Sequence, residues 1–189
     1  MEKFTFLEKQ ERVITSSNGK VLLLLNGQER KMTMPDGEGQ QEKTVKQWEY
    51  DGVWLDGVTS ANDLLGAAKR LMVQEITTYD SSPSVNGFLL NGLRVWLNKD
   101  TRVGLMNSTQ IAKGMGQTTT TLWFGGMNME VDCDKAIGLL STLEMYALEC
   151  FNTTAKHKAA VEKMQTVEEV LGYDYTQGYP EQLKMEVSL

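Results

Sequence analysis

The sequence predicts an α+β protein in which antiparallel hairpins, about four strands in all, are packed by about three or four helices. Two segments in the middle of the chain alternate apolar and polar residues on either side of a glycine turn, as half-buried hairpins do. Other segments carry apolar residues at helical spacing, whereas the start of the chain has β character only. We therefore expect a β-rich N-terminal segment or small domain at residues 1–58 and a larger α+β domain at residues 59–189.

The N-terminal segment should contain two pairs of strands. Ser17-Asn18-Gly19 is a turn signal that would join the first pair, because Asn and Gly tolerate positive φ. The continuous apolar run Val21–Leu25 fits a strand that is covered on both faces. A second pair, residues 28–34 with 43–50, would flank the polar, glycine-rich loop 35–42.

Helical periodicity appears in three longer segments and one short one. The first should begin at Ser60, where Asp63 three residues later makes an acidic capping box, and end near residue 80. Further helices are predicted at residues 100–115 and 135–164, and a short one follows residue 166. The apolar stripe of the long final helix is Leu140, Leu143, Ala147, Phe151, Thr154, Val161 and Met164.

The two central hairpins supply the predicted sheet. The turn Asn91-Gly92 would place Leu90 opposite Leu93 and Phe88 opposite Val95. The apolar face of this hairpin is then Phe88, Leu90, Leu93, Val95 and Leu97. The second hairpin, turning at Gly125-Gly126, has the apolar face Leu122, Phe124, Met127 and Met129. Together they suggest a four-stranded antiparallel sheet with helices on one side.

The composition is that of an ordinary globular protein. The chain has 189 residues, 41% of them hydrophobic and 23% charged, and a net charge of −6. Because a general nucleic-acid binder needs Lys and Arg to neutralise phosphates, we expect no nucleic-acid partner. The longest apolar run, Val21–Leu25, is too short to cross a membrane, so no membrane partner is expected either. The charged start, MEKFTFLEKQ, does not have the apolar core of a secretory signal.

One glycine-rich segment, KGMGQTT at residues 113–119, resembles a phosphate-binding loop. In such a loop a Lys just before the Ser or Thr reaches the phosphates, but Gln117 stands there. A helix also precedes this segment, whereas an anion needs the N-terminus of a helix that follows. We interpret the segment as a turn and expect no cofactor.

The other candidates for chemistry have structural explanations. His157 and Cys150 share a face of the last helix, but they do not have the close spacing of zinc ligands, and about 10 Å of helix separates them. We interpret His157 as a core or boundary histidine beside a buried thiol. The carboxylate pairs Asp132/Asp134, Glu168/Glu169 and Asp51/Asp56 lie at helix starts or beside turn glycines. The sequence therefore predicts no catalytic and no metal-binding residue.

The outer face of the predicted sheet is the best candidate for a contact surface. Trp96, Trp123, Arg94 and Leu89 would project there, away from the core. Trp and Arg are typical anchors of protein interfaces. The alternative is that the N-terminal β segment or the tyrosine-rich C-terminal tail covers this face.

The chain from about residue 60 to 180 resembles an uncharacterised domain of phage and prophage proteins, often found at the C-terminal end of tail-fibre or tail-fibre-assembly-like proteins. The residues that carry the resemblance are Val85-Asn86-Gly87-Phe88, Asn91-Gly92, Trp96-Leu97-Asn98-Lys99, Thr101-Arg102, Leu122-Trp123 and the run from Tyr146 to His157. The N-terminal β segment has no place in it.

The resemblance implies a non-enzymatic structural or assembly protein that acts through protein–protein contacts. Its partners would be other phage or prophage structural proteins, or further copies of itself, in the host cytoplasm or in the virion. A small-ligand-binding protein or a hydrolase, with a polar site assembled from residues that we interpret as structural, is the alternative.

Overall fold

The computed structural model describes residues 1–16, 18–35, 42–60, 63–124 and 126–187. The turn residues Ser17 and Gly125 and most of the predicted loop, residues 36–41, lie outside this range. The mixture of helices and antiparallel strands confirms the α+β class and the β-rich N-terminal segment.

Contacts divide the described chain into two compact units. The N-terminal unit comprises residues 1–71 and 165–167, and the C-terminal unit comprises residues 72–164 and 168–189. The division falls within the first long helix, so the domain boundary at residue 58 stays a prediction.

The N-terminal unit contains a four-stranded antiparallel sheet in the order β1-β4-β3-β2. Its strands are β1 (Glu2–Phe6), β2 (Val13–Thr15), β3 (Val21–Pro35) and β4 (Glu42–Leu55). The sequence predicted two separate strands where β3 runs without interruption, and it did not predict β1. The ladder of β3 shifts register between Leu25 and Gln28, where Asn26 adopts φ 52°, so one bulge replaces the expected break.

The apolar run Val21–Leu25 is buried at every position, which confirms the prediction of a strand covered on both faces. Two of its residues, Leu22 and Leu24, cluster with Tyr50 of β4. The segment between β1 and β2 contacts this cluster, because the backbone N–H of Gln10 donates to the Tyr50 hydroxyl over 2.9 Å. A central strand can be apolar throughout because neighbouring strands take its hydrogen bonds and both faces are sheltered.

Helix α1 (Leu64–Asp80) begins where the sequence predicted a capping box. The Asp63 carboxylate accepts the backbone N–H groups of Ser60 (2.9 Å) and Thr59 (3.0 Å). The bond from Ser60 is the one that a capping box makes between the acidic side chain and the N–H of the cap residue. The hydrogen bonds from Thr59 hold the pKa of Asp63 below its ordinary value.

The rest of the chain alternates short strands with helices. The elements are α2 (Pro83–Asn86), β5 (Phe88–Leu90), β6 (Leu93–Val95), α3 (Lys99–Gly114), β7 (Thr119–Phe124), β8 (Met127–Asp132), α4 (Cys133–Lys163), α5 (Val167–Leu171) and β9 (Lys184–Met185). The long helix α4 starts at an Asp132 cap, whose carboxylate accepts the backbone N–H groups of Asp134 and Lys135.

The first central hairpin has the predicted turn and register. Asn91 and Gly92 adopt φ 48° and 78°, Leu90 pairs with Leu93, and Phe88 pairs with Val95. The second hairpin pairs Leu122 with Met129, and Phe124 with Met127, also as predicted. Both registers follow from short turns that fix the pairing of the flanking residues.

The two hairpins do not join into one sheet, which corrects the predicted four-stranded arrangement. Strand β5 lies between β6 and the C-terminal strand β9, to which it is parallel, and within the described residues β7 and β8 pair only with each other. The N–H groups of Leu89 and Asn91 donate to the carbonyls of Leu183 and Met185. The tail therefore occupies one of the two edges at which a second hairpin could have paired, the edge of β5.

The inner faces of both hairpins and one side of α4 form the core of the C-terminal unit. Its fully or largely buried members are Val85, Phe88, Leu90, Val95, Leu97, Leu122, Phe124, Met129, Val131, Ala136, Leu140, Leu143, Tyr146, Cys150 and Met185. Leu93 and Met127 were predicted for this core but are exposed. Each directly follows the turn of its hairpin, so the alternation of apolar and polar residues did not decide burial there.

Candidate functional site

A groove of about 480 Å³ runs along α4 on the side that does not face the core. Glu144, Ala147, Leu148 and Phe151 line it at spacings of three, four and seven residues, which places them on one face of the helix. The other walls are the segment Trp96–Lys99, Arg102 of α3, and Asp80, Ser81 and Asn86. All of these residues belong to the C-terminal unit.

The walls of the groove expose large apolar side chains. Phe151 is 60% exposed, Leu148 47% and Trp96 39%. Phe151 was predicted for the apolar stripe of α4, and this was wrong, because the core takes the neighbouring stripe that contains Leu143 and Cys150. Clustered exposed apolar surface on a folded protein is typical of a binding site.

Arg102 forms the polar side of the groove. It is 7% exposed, and its Nε donates to Glu144 Oε1 over 2.8 Å while Nη1 donates to the Leu97 carbonyl over 2.8 Å. The side chain of Asn98 caps α3 by accepting the N–H of Thr101 at 2.8 Å. Because Arg102 follows in the first turn of α3, this cap fixes where the guanidinium lies.

The residues behind the groove form a buried polar network. Thr154 donates its hydroxyl to Asp80 Oδ1 over 2.8 Å and lies 2.9 Å from the Tyr179 hydroxyl. The Tyr146 hydroxyl and the Cys150 thiol both donate to the Val85 carbonyl, over 2.8 Å and 3.5 Å. These bonds hold α4 against the segment before β5.

The buried hydroxyl and thiol of this network are poor nucleophiles. Burial raises the pKa of Tyr146 to about 12, and burial also raises the pKa of the Cys150 thiol. Both groups are therefore protonated at neutral pH, and only an ionised group would attack a substrate.

His157, the only histidine, holds the C-terminal tail. Its Nδ1 lies 2.7 Å from the Tyr173 hydroxyl, and its Nε2 lies 2.9 Å from the Gln177 carbonyl. A carbonyl only accepts, so Nε2 carries the proton and the Tyr173 hydroxyl donates to Nδ1. Both ring nitrogens are thus occupied. Among the described residues there is no group of three His, Cys, Asp or Glu side chains that could hold a metal ion.

The glycine-rich segment at residues 113–119 is the C-terminal turn of α3 followed by the start of β7. Gly116 adopts φ 84°, and the N–H of Gln117 bonds to the Ala112 carbonyl. The C-terminal end of a helix carries partial negative charge, which repels phosphate. The Lys113 ammonium forms an ion pair with Asp134. This geometry agrees with the interpretation of the segment as a turn.

The carboxylate pairs singled out in the sequence have structural partners. Asp51 pairs with Lys3 over 2.7 Å, and Asp56 pairs with Lys20 over 3.2 Å. The hydrogen bond from Lys3 lowers the pKa of Asp51. Asp132 caps α4, and Glu168 and Glu169 lie in the first turn of α5.

The four predicted contact residues do not lie on one sheet. Trp96 lies in the groove, and Leu89 and Arg94 are cross-strand partners on β5 and β6. Arg94 donates to the Pro83 carbonyl over 3.4 Å. Trp123 is 58% exposed but belongs to the separate β7–β8 sheet. The single sheet that the prediction assumed is two sheets, so a shared contact surface of these four residues stays a prediction.

Sequence reasoning did not identify four residues of the groove: Arg102, Glu144, Leu148 and Phe151. It had assigned Phe151 to the core. A second helical stripe was available as a signal, since Leu148 and Phe151 continue the spacing of Glu144 and Ala147. Which of two adjacent stripes would face the core was not decided by periodicity. The pairing of Arg102 with Glu144, 42 residues apart, left no local signal.

No protein-family model matches the chain, and neither a curated protein nor a solved structure is significantly similar to it. None of the described helices combines the length and apolar character that a membrane crossing requires.

Proposed function

We propose that this chain is a non-enzymatic binding protein that contacts another protein through the groove along α4. The observation that carries the proposal is the cluster of exposed large side chains, Trp96, Leu148 and Phe151, around a concave surface. Aromatic anchors surrounded by a polar rim are the usual centres of protein interfaces. Leaving these side chains exposed does not stabilise the isolated chain, because the transfer of apolar surface out of water is favourable.

A small-molecule-binding protein is the second candidate. The volume of about 480 Å³ falls within the range of ligand pockets, which favours this alternative. A hydrolase is less well supported by the lining residues. Glu144 accepts a hydrogen bond from Arg102, and Asp80 accepts one from Thr154. Neither His157 nor a cysteine lines the groove.

The phage or prophage assembly role is part of the same proposal and rests on the sequence resemblance alone. Under it, the partners are other phage structural proteins or further copies of this chain, in the host cytoplasm or the virion. Genes for tail or baseplate proteins beside this one would support that role.

To test the proposal, short random peptides are displayed on yeast cells, and the cells that bind the immobilised full chain are selected. The test variant is Leu148→Ala/Phe151→Ala, and the matched control is Met145→Ala, a 59% exposed residue of the same helix that does not line the groove. We expect enriched peptides to lose at least about tenfold in affinity on the double variant and to bind the control normally. Equal binding to all three proteins, with each shown to be folded, would contradict the proposal.

A further inference from the structure

We propose that the segment bound in the groove carries a carboxylate next to a large apolar side chain, and that Arg102 recognises the carboxylate. This inference rests on the proposed function and specifies the chemistry of its partner. The acidic group would pair with the guanidinium, while its apolar neighbour would pack against Trp96 and Phe151.

The first support is the set of unused donors on Arg102. A guanidinium has five N–H donors in a planar fork. Within the described residues only two are used, by Glu144 Oε1 and the Leu97 carbonyl, and Nη2 has no partner. The only fully buried side-chain nitrogen or oxygen without a partner in that part of the chain is Thr109 Oγ1, so Nη2 keeps some solvent-accessible surface.

The second support is the cost of this arrangement. Arg102 is more than nine-tenths buried, and a buried charge is expensive unless it is paired and hydrogen-bonded. One carboxylate and one carbonyl leave Nη2 without a partner, and because Arg102 lines the groove, an acceptor bound there could complete its bonds. A carboxylate suits that end because its two oxygens match two parallel N–H donors.

The third support is the pair of cationic side chains, Lys99 and Arg102, in the lining of the groove. Asn98 caps α3, and Lys99 and Asp100 are the first two residues of the helix, where the helix dipole favours an anion. Lys99 forms no ion pair with any described residue. The acidic residues of the lining are already engaged, since Glu144 accepts from Arg102 Nε and Asp80 accepts from Thr154. An incoming carboxylate would therefore meet spare donors.

The probe is the set of peptides selected by their dependence on Phe151. We expect Asp or Glu beside an aromatic or large aliphatic residue to recur in them. Exchanging that acid for its amide should weaken binding about tenfold or more, the effect of losing a hydrogen bond to a charged group. Raising the salt concentration should weaken the acid peptide more than the amide. Groove-dependent peptides that bind equally well as acid and amide would overturn the inference and leave the proposed function standing.

Two variants of the protein separate recognition from folding. Glu144→Gln keeps an acceptor for Arg102 Nε but removes the competing charge, so the acid peptide should bind at least about twofold more tightly. Lys99→Gln changes an exposed side chain and should weaken the acid peptide but not the amide. Weaker binding to folded Glu144→Gln, or no effect of Lys99→Gln, would count against the inference. If no selected peptide depends on Phe151, the proposed function itself fails.

Discussion

Individual side chains in this protein serve packing more often than chemistry. His157, both cysteines and the paired carboxylates attract attention in the sequence, yet their described partners include backbone groups, a hydroxyl, an amide and lysines. Arg102 is the exception, because two bonds leave part of its guanidinium free. A residue becomes a candidate for function when its environment leaves a group unsatisfied, and its identity alone does not reveal that.

Tyr146 gives a prediction about pH at the residue scale. Its folded-state pKa is raised from 10.0 to about 12 by burial, so between these values the unfolded chain loses the proton first. Stability contributed by the protonated hydroxyl is complete below pH 10 and falls as the pH rises towards 12. Urea denaturation at several alkaline pH values should show this decline. The variant Tyr146→Phe should show a shallower decline, at a cost of about 1 kcal/mol at neutral pH for the lost hydrogen bond. If the free energy of unfolding fell equally steeply with pH in both proteins, the decline would not come from Tyr146.

At the scale of elements, local rules worked where an element depends on its own residues. The Asn91-Gly92 turn, the Asp63 and Asp132 caps, and both hairpin registers were found as the sequence indicated. The same rules did not predict β1 or β9. Both strands are short, with five and two residues, and each pairs with a strand that is distant in sequence.

The C-terminal strand should depend on one turn residue. The Asn91 side chain accepts the Val187 N–H over 2.8 Å and donates to the Val187 carbonyl over 3.2 Å, so it imitates a backbone pair. Asn91→Gly keeps a residue that tolerates positive φ but loses both bonds, at a cost of about 1–3 kcal/mol for the tail. Hydrogen exchange should become faster at the N–H groups of Leu89 and Val187.

A graded control is available at the same position. Asn91→Asp keeps the oxygen that accepts the Val187 N–H but loses the donor, so its exchange rates should lie between those of the wild type and Asn91→Gly. Unchanged protection in Asn91→Gly would show that the strand does not need this side chain.

At the scale of the whole molecule, the C-terminal unit has a core of its own. All residues of its main apolar cluster lie between Tyr79 and Val187. We expect a fragment of residues 59–189, cut at the predicted domain boundary, to fold and to unfold cooperatively, because every residue of this cluster lies within the fragment. Near-ultraviolet circular dichroism and urea denaturation test this. A fragment without fixed tertiary structure would show that the boundary is misplaced. The full chain, residues 1–189, provides the folded reference.

The sequence by itself determined the α+β class, the hairpin turns, the helix starts and most of the core positions, because these depend on periodicity and on residues close together in the chain. The tertiary structure decided three further points: that the tail pairs with the first hairpin while the second forms a sheet of its own, that α4 turns Phe151 outward, and that Arg102 meets Glu144 in the lining that also contains Trp96. Each depends on contacts between residues that are distant in sequence. Apolar residues can satisfy the same periodicity on either side of a helix, and only packing decides which side remains in water.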